Sequence, residues 1–147
     1  MSNPGPAVTV SAHPSNVSTV QALRLLAVGR GINANAVAST AIPVNNTSVY
    51  LPVTMVVTNS NSAGTSVNAS SAALSLYTAP GGSGGSGSEV FASTTLANLT
   101  TSAGTQVVSA YESTTAFTAQ NLYAYVGTGS GVTGTVDVYV YGYDFSA

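Results

Sequence analysis

The chain has 147 residues, of which only two are basic and four are acidic, so its net charge is −2. Two arginines cannot neutralise the series of phosphates that a nucleic-acid interface requires, and a chain without cysteine has neither disulfides nor thiolate metal sites. With 44% hydrophobic residues, the composition is typical of a folded protein rather than a disordered one.

The scarcity of charge predicts that much of the surface is covered in an assembly. A free monomer with so few charges has little electrostatic protection against association. Interface cores are depleted in charged residues and enriched in tyrosine, and this chain has eight tyrosines. We therefore expect it to be one component of a larger assembly.

Residues 1–19 predict an extended N-terminal arm, with a short strand at Ala7–Ser11. They contain three prolines and little hydrophobic periodicity. A frayed terminus fits these residues equally well, because an ordered arm needs a partner to pack on. Met1–Pro6 lacks the basic and apolar regions of a signal peptide, and no apolar run approaches the roughly 18 residues that cross a bilayer. We therefore expect synthesis in the cytoplasm and no membrane partner.

The rest of the chain predicts an all-β protein. Turn clusters separate short segments that are rich in β-branched and aromatic residues, and none has the pattern of an amphipathic helix. The predicted strands are Val20–Val28, Val49–Thr58, Ala72–Thr78, Glu89–Ser93, Thr105–Tyr111, Asn121–Gly127 and Gly134–Phe145. Pro52 cannot donate a hydrogen bond to a sheet, so it indicates an edge or a bulge. We predict an antiparallel β-sandwich, jelly-roll-like, with about seven to nine short strands, in a single domain at residues 20–147.

Two glycine-rich segments could be taken for functional loops. Gly29–Ala34 matches the GxGxxA pattern of dinucleotide-binding loops, but neither a helix start nor an acidic residue follows at the required spacing. We interpret it as a glycine-rich turn. Gly81–Ser88 resembles a flexible linker, but strand patterns lead directly into and out of it. It therefore predicts a long exposed connection within one sandwich.

The last two predicted strands have the clearest pattern in the chain. Valines at 136, 138 and 140 alternate with other residues, and so do Leu122, Ala124 and Val126. A glycine-rich segment joins the two strands, so we predict that they form a hairpin. In odd-with-odd register the tyrosines of this hairpin share one face. The predicted band consists of Tyr123, Tyr125, Tyr139, Tyr141 and Tyr143. It has three interpretations: a subunit or host-surface interface, a sugar-binding platform, or an ordinary half-exposed sheet face.

The titratable residues form no catalytic motif. The single histidine, His13, lies in the proline-rich arm. The four carboxylic acids, Glu89, Glu112, Asp137 and Asp144, have no spacing typical of a metal site or of a glycosidase pair. Gly81–Ser88 lacks the lysine of a phosphate-binding loop. We therefore predict that the protein is not an enzyme and has no cofactor or metal.

Three motifs resemble small structural proteins of tailed-phage virions, of the capsid decoration or cement type. They are "LSLYTAPGG", "LANLT" and "NLYAYVGTGSGVTGTVDVYVYGYDF", and together they run from Ala72 to Phe145, half of the chain. The resemblance implies a β-sandwich or jelly roll, often trimeric, on the outer face of a capsid, with an N-terminal arm lying across neighbouring major capsid protein subunits. The near absence of charge departs from that family and leaves the mode of attachment open.

The expected function is therefore structural. Such a protein would bind the assembled shell on the virion surface and clamp adjacent capsid subunits through uncharged polar, backbone and tyrosine contacts, which would stabilise the shell by mass action. The alternative is a receptor- or glycan-binding module of a fibre, tail or adhesin. A third hypothesis, an internal or tail-tube component, differs mainly in location.

Overall fold

The computed structural model describes residues 23–45, 47–82, 85, 87–102, 104–111 and 114–146. No α-helix occurs in these ranges, which confirms the all-β prediction. The nine strands are β1 (Arg24–Asn33), β2 (Ala38–Pro43), β3 (Tyr50–Ser62), β4 (Thr65–Ser66), β5 (Ala73–Tyr77), β6 (Glu89–Thr95), β7 (Gln106–Ala110), β8 (Asn121–Thr128) and β9 (Thr135–Asp144). The predicted N-terminal arm, residues 1–19, lies outside the described residues.

The strands form two antiparallel sheets packed as a sandwich. Sheet A has the order β1-β9-β3, and β4 and β7 both pair with the other side of β3, at different points along its length. Sheet B has the order β2-β8-β5-β6. Strands from before and after the Gly/Ser segment, residues 81–88, occur in both sheets, and one hydrophobic core lies between the sheets.

The core is built from every second residue of the strands, because successive side chains of a strand point to opposite faces. From the last two strands it takes Leu122, Ala124, Val126, Val136, Val138 and Val140, all of them buried. Each fully buried valine or leucine contributes about 1.5–3 kcal/mol relative to an exposed one. The predicted alternation of β8 and β9 is therefore confirmed, and these six residues make up a quarter of the 24 residues in the buried apolar cluster.

The predicted hairpin between β8 and β9 is wrong, because the two strands lie in different sheets. β8 pairs with β2 and β5, whereas β9 pairs with β1 and β3. The connection at residues 129–134 crosses from sheet B to sheet A. It is held by hydrogen bonds from Ser130 N to Ala34 O (2.8 Å) and from Ala34 N to Gly134 O (3.0 Å). In this arrangement the apolar faces of β8 and β9 both point into the core between the two sheets.

The interpretation of Gly29–Ala34 as a turn is also wrong, because β1 continues through it to Asn33. The register with β9 shifts between Gly29 and Ile32, which marks a β-bulge, and Gly31 has a φ of +67°. Glycine adopts this left-handed conformation without steric cost. A bulged strand is not the start of the helix that a dinucleotide-binding loop requires.

Of the two features that Pro52 indicated, an edge or a bulge, β3 has the bulge. Its register with β9 shifts between Pro52 and Thr54, and β7 pairs with β3 only from Thr54 onward. Proline is therefore placed where the missing N–H costs no hydrogen bond to β7. The strand extends beyond its predicted end at Thr58 to Ser62, where a tight turn at Ala63 and Gly64 leads into β4.

β2 has no counterpart among the predicted strands. Its sequence, "ASTAIP", has one large apolar residue, Ile42, and no extended alternation. Pairing with β8 over all six residues holds it in the sheet. Neighbouring strands, rather than the intrinsic preference of its residues, account for its conformation.

The Gly/Ser segment connects β5 to β6, which are paired neighbours in sheet B. Ser88 and Thr78 close its base through two hydrogen bonds, Thr78 N to Ser88 O (3.0 Å) and Ser88 N to Thr78 Oγ1 (2.8 Å). Gly82 is buried, and a Cβ added there would overlap the ring of Tyr125. Glycine is therefore needed here for the close approach of the backbone to an aromatic ring.

Candidate interaction surfaces

Three of the five predicted tyrosines, Tyr139, Tyr141 and Tyr143, lie in a row on the outer face of sheet A. They occupy every second position of the central strand β9 and alternate with the inward-facing Val138 and Val140. All three are half-buried. The row runs along the middle of the sheet, with a strand on each side.

The residues directly opposite this row on the neighbouring strands carry no charge. Directly opposite residues of paired strands share a face. Opposite the three tyrosines lie Leu25 and Val28 of β1 and Leu51, Thr54 and Val56 of β3, with Val108 and Ala110 of β7 beyond them. Leu25 is 40% and Val108 57% exposed. We call these residues, together with the three tyrosines, the tyrosine face of sheet A; it is a continuous apolar and aromatic surface across four strands.

Asp137 lies at one end of this face, and each oxygen of its carboxylate accepts a hydrogen bond from within the chain. Oδ1 accepts a hydrogen bond from Gly31 N (2.9 Å), and Oδ2 accepts one from Asn59 Nδ2 (2.8 Å). Gly31 belongs to the β1 bulge, and Asn59 lies at a register shift of β3 with a φ of +57°. The carboxylate therefore connects two bulges on opposite sides of β9.

The other two predicted tyrosines, Tyr123 and Tyr125, lie on the outer face of sheet B. There Tyr123 pairs with Tyr77 of β5, and the rings of Tyr77 and Tyr125 meet edge to face, with centroids 6.3 Å apart. The backbone at Gly82 covers Tyr125, and Gly81 N donates a hydrogen bond to Ser39 Oγ (2.8 Å). The start of the Gly/Ser segment therefore lies across this face.

The five tyrosines consequently do not form one band. Their outward orientation follows from the alternation, as predicted, but the crossing of the β8–β9 connection places two of them on one side of the sandwich and three on the other. Tyr143 does continue the row past Gly142, as expected. Whether either face binds a partner stays a prediction.

The carboxylates lie apart and have structural contacts. Asp144 is buried and forms an ion pair with Arg24, with 2.7 Å between Oδ2 and Nη1, while its Oδ1 accepts a hydrogen bond from Ser146 N. Glu89 accepts a hydrogen bond from the hydroxyl of Tyr77 (3.2 Å). Burial, and next this hydrogen bond, raise the pKa of Tyr77. Glu112 and His13 lie outside the described residues.

The described residues do not include a cluster of titratable side chains of the kind that holds a metal ion. No group of three or more His, Cys, Asp or Glu side chains comes together among them. One cleft among them, of about 200 Å³, is lined by neutral residues such as Asn33, Asn61 and Thr135. Uncharged sheet faces, rather than a pocket, are therefore the candidate functional surfaces.

Tyr50 is the one tyrosine placed entirely inside the sandwich. Its hydroxyl donates a hydrogen bond to the carbonyl oxygen of Ala119 (2.7 Å), and its ring lies near that of Phe117. Burial raises the pKa of Tyr50 to about 12. The folded protein therefore favours the neutral phenol more strongly than the unfolded chain does.

This difference predicts a loss of stability at high pH. In the unfolded chain Tyr50 ionises near its ordinary pKa of about 10. Its stabilising contribution is complete below that pH and is lost as the pH rises from about 10 to about 12, because only the unfolded state releases the proton there. We expect Tyr50→Phe to lower the free energy of unfolding by about 1 kcal/mol at pH 7 and to flatten its decline above pH 10. Urea unfolding of both proteins at pH 7 to 12 measures this; equal slopes for the two would contradict it.

Several members of the tyrosine face were not predicted from the sequence. Leu25, Val28, Val56 and Val108 join the tyrosines because their strands adjoin β9 or β3. The alternation within each strand shows which residues share a face of that strand. It carries no signal for which strands are neighbours, so the extent of the face could not be found.

Among the described residues no helix is long and apolar enough to cross a membrane. Comparison of the chain with protein-family models, with curated proteins and with solved structures finds no match in any of the three.

Proposed function

We propose that the protein is a structural component of a virion, which binds the outer surface of an assembled capsid through the tyrosine face of sheet A and stabilises the shell by contacting adjacent capsid subunits. The observation that carries the proposal is the uncharged face itself, with three tyrosines on its central strand and apolar residues on the strands beside it. We name the capsid as the partner because residues 72–145 resemble decoration proteins.

The chemistry of the face supports attachment without ion pairs. Tyrosine combines a large apolar ring with a hydroxyl that forms hydrogen bonds, which suits the core of an interface. The carboxylate at the end of the face, Asp137, already has two partners within the chain. Binding should therefore depend only weakly on salt, because screening acts on exposed charges. A protein that binds the assembled shell, and not its separate subunits, shifts the equilibrium toward the shell.

A charge placed on the face tests the proposal. Tyr141→Lys puts an unpaired ammonium group in the middle of the contact, where its desolvation is costly. We expect binding to capsids that lack the protein to weaken at least about tenfold, which corresponds to about 1.4 kcal/mol, and the resistance of the particles to heat to fall with it. Co-sedimentation with capsids and heating of the resulting particles measure the two effects.

Tyr123→Lys is the matched control, since it makes the same change on the outer face of sheet B. We expect it to bind within about twofold of the original protein, and both variants to unfold at a similar temperature because both positions are half-buried. If Tyr141→Lys binds as well as the control does, or if particles without the protein resist heat as well as complete ones, the proposal fails.

Receptor or glycan binding remains the alternative hypothesis. The sheet B tyrosines give it little support, because Tyr77 is buried and the backbone at Gly82 covers Tyr125. The tyrosine face of sheet A is the surface that could serve it. Specific binding on a glycan array that is lost in both Tyr139→Ala and Tyr141→Ala would favour this function over capsid attachment.

A further inference from the structure

The edges of the two sheets differ in how they are protected against pairing with another chain. An edge strand presents unpaired N–H and C=O groups, and proteins protect such edges with charges, prolines, bulges or very short strands. β1 carries two bulges and two arginines, Arg24 and Arg30. β6 has two register shifts with β5 and begins at Glu89. On the remaining edge, β4 has two residues and β7 has five.

β2 has neither a charge nor a bulge along its length, and its one proline, Pro43, is its last residue. It pairs with β8 in unbroken register from Ala38 to its last residue, Pro43. No charged residue lies between Arg30 and Glu89 in the sequence. Five of its six residues are at least partly exposed, and Val37, immediately before it, is 61% exposed.

The outer edge of β2 has no other strand beside it among the residues that the structure describes. In an antiparallel pair, alternate residues direct their N–H and C=O groups away from the partner strand, so about half of these groups in β2 point away from β8. The next backbone contacts, Val44 N to Gln120 O and Asn45 N to Leu26 O, begin beyond Pro43. The edge from Ala38 to Ile42 is therefore regular in register and neutral, and no strand of the described part of the chain pairs with it.

We propose that β2 pairs in antiparallel fashion with β2 of a second copy of this chain across a two-fold axis, which joins two four-stranded B sheets into one sheet of eight strands. An antiparallel edge is complementary to itself, as a two-fold interface requires. The residues that would meet, such as Ser39, Thr40 and Ala41, are small and uncharged, so neither bulk nor like charges keep the backbones apart.

The pairing closes on itself and does not continue into a fibre. Extension would need the opposite edge of sheet B, and there the bulges and Glu89 of β6 oppose it. The result is a dimer, whereas the resemblance to decoration proteins implies a trimer. The inference does not depend on the proposed function, because it concerns sheet B and not the tyrosine face of sheet A.

The absence of cysteine from the chain permits a direct test. Single cysteines at Ala38, Ser39, Thr40 and Ala41 are oxidised, and disulfide-linked dimers are counted on a non-reducing gel. We expect one or two neighbouring positions near the two-fold axis to cross-link efficiently, because only residues near the axis meet their own copies. Ala110→Cys, an exposed alanine on β7 at the edge of sheet A, is the matched control and should not cross-link.

Light scattering of the full chain gives the second measurement. We expect twice the mass of one chain at micromolar concentration, and at least about tenfold weaker dimerisation in Ala41→Glu, with an unchanged circular dichroism spectrum because Ala41 is exposed. A monomer or a trimer at all concentrations, a dimer that Ala41→Glu leaves intact, or cross-linking at Ala110 in place of β2 would overturn the inference.

Discussion

Gly142→Val is expected to lower the free energy of unfolding by about 3 kcal/mol or more, a large part of the roughly 5–15 kcal/mol that stabilises an ordinary domain. Gly142 lies in the central strand of sheet A, opposite Arg24 of β1 and Pro52 of β3. A Cβ at this position would overlap the carbonyl oxygen of Leu51 and lie 2.7 Å from Cδ1 of Leu26.

The cost is high because backbone, and not only a side chain, is in the way. Leu26 can change rotamer, but the Leu51 carbonyl belongs to β3, which is held by β9 along most of its length. The overlap with the Leu51 carbonyl is therefore relieved only if β3 moves near the Pro52 bulge, where its register with β9 is already shifted. Overpacking of this kind destabilises the fold because it displaces backbone and removes contacts.

Gly127→Val is the matched control, because Gly127 is exposed on β8 and a Cβ there would be 3.4 Å from the ring of Tyr125. We expect it to change stability by less than about 1 kcal/mol. Gly142→Ala, with one methyl group, should lie between the two and remain measurable if the valine variant does not fold. Urea unfolding compares all three, and a valine variant at 142 that is as stable as the control would contradict the packing described here.

Asp137→Ala is expected to lower the free energy of unfolding by about 2 kcal/mol. The substitution removes two hydrogen bonds to a charged group, each of which is worth about 1.5–3 kcal/mol in favourable surroundings and less at this partly exposed position. Both bonds end on residues with left-handed backbone, Gly31 and Asn59. We therefore expect the two bulges beside β9 to loosen together.

Asp137→Asn separates the role of the carboxylate from that of its shape. An asparagine still offers one carbonyl oxygen to Gly31 N, and the amide of Asn59 can turn to offer its own oxygen to the new NH₂ group. We expect a loss of about 1 kcal/mol or less. Amide hydrogen exchange at Gly31 supplies a local measurement: it should speed up markedly in Asp137→Ala and only slightly in Asp137→Asn. Equal exchange in both variants would show that Asp137 does not hold the β1 bulge.

These two residues also show how far the sequence could be interpreted. In the sequence, Gly142 is one glycine between two tyrosines, and Asp137 is one of four scattered carboxylic acids. Their roles depend on contacts with Leu51, Gly31 and Asn59, which are about 80 to 110 positions away in the chain. No local pattern encodes such contacts, because they arise from the pairing of strands that are distant in sequence.

The sequence by itself determined the all-β class, most of the strands, an edge or a bulge at Pro52, and which residues of β8 and β9 face inward. These features are local: the period of two in a strand and the absence of an N–H in proline act over a few residues. The tertiary structure decided that β8 and β9 lie in opposite sheets, and so divided the five tyrosines between two surfaces. Consider two strands that alternate apolar and polar residues and are joined by a short loop. They can lie side by side in one sheet, with their apolar faces covered by a third element, or in two facing sheets, with both apolar faces turned toward one core. The alternation is the same in both cases, and only the packing of all nine strands selects between them.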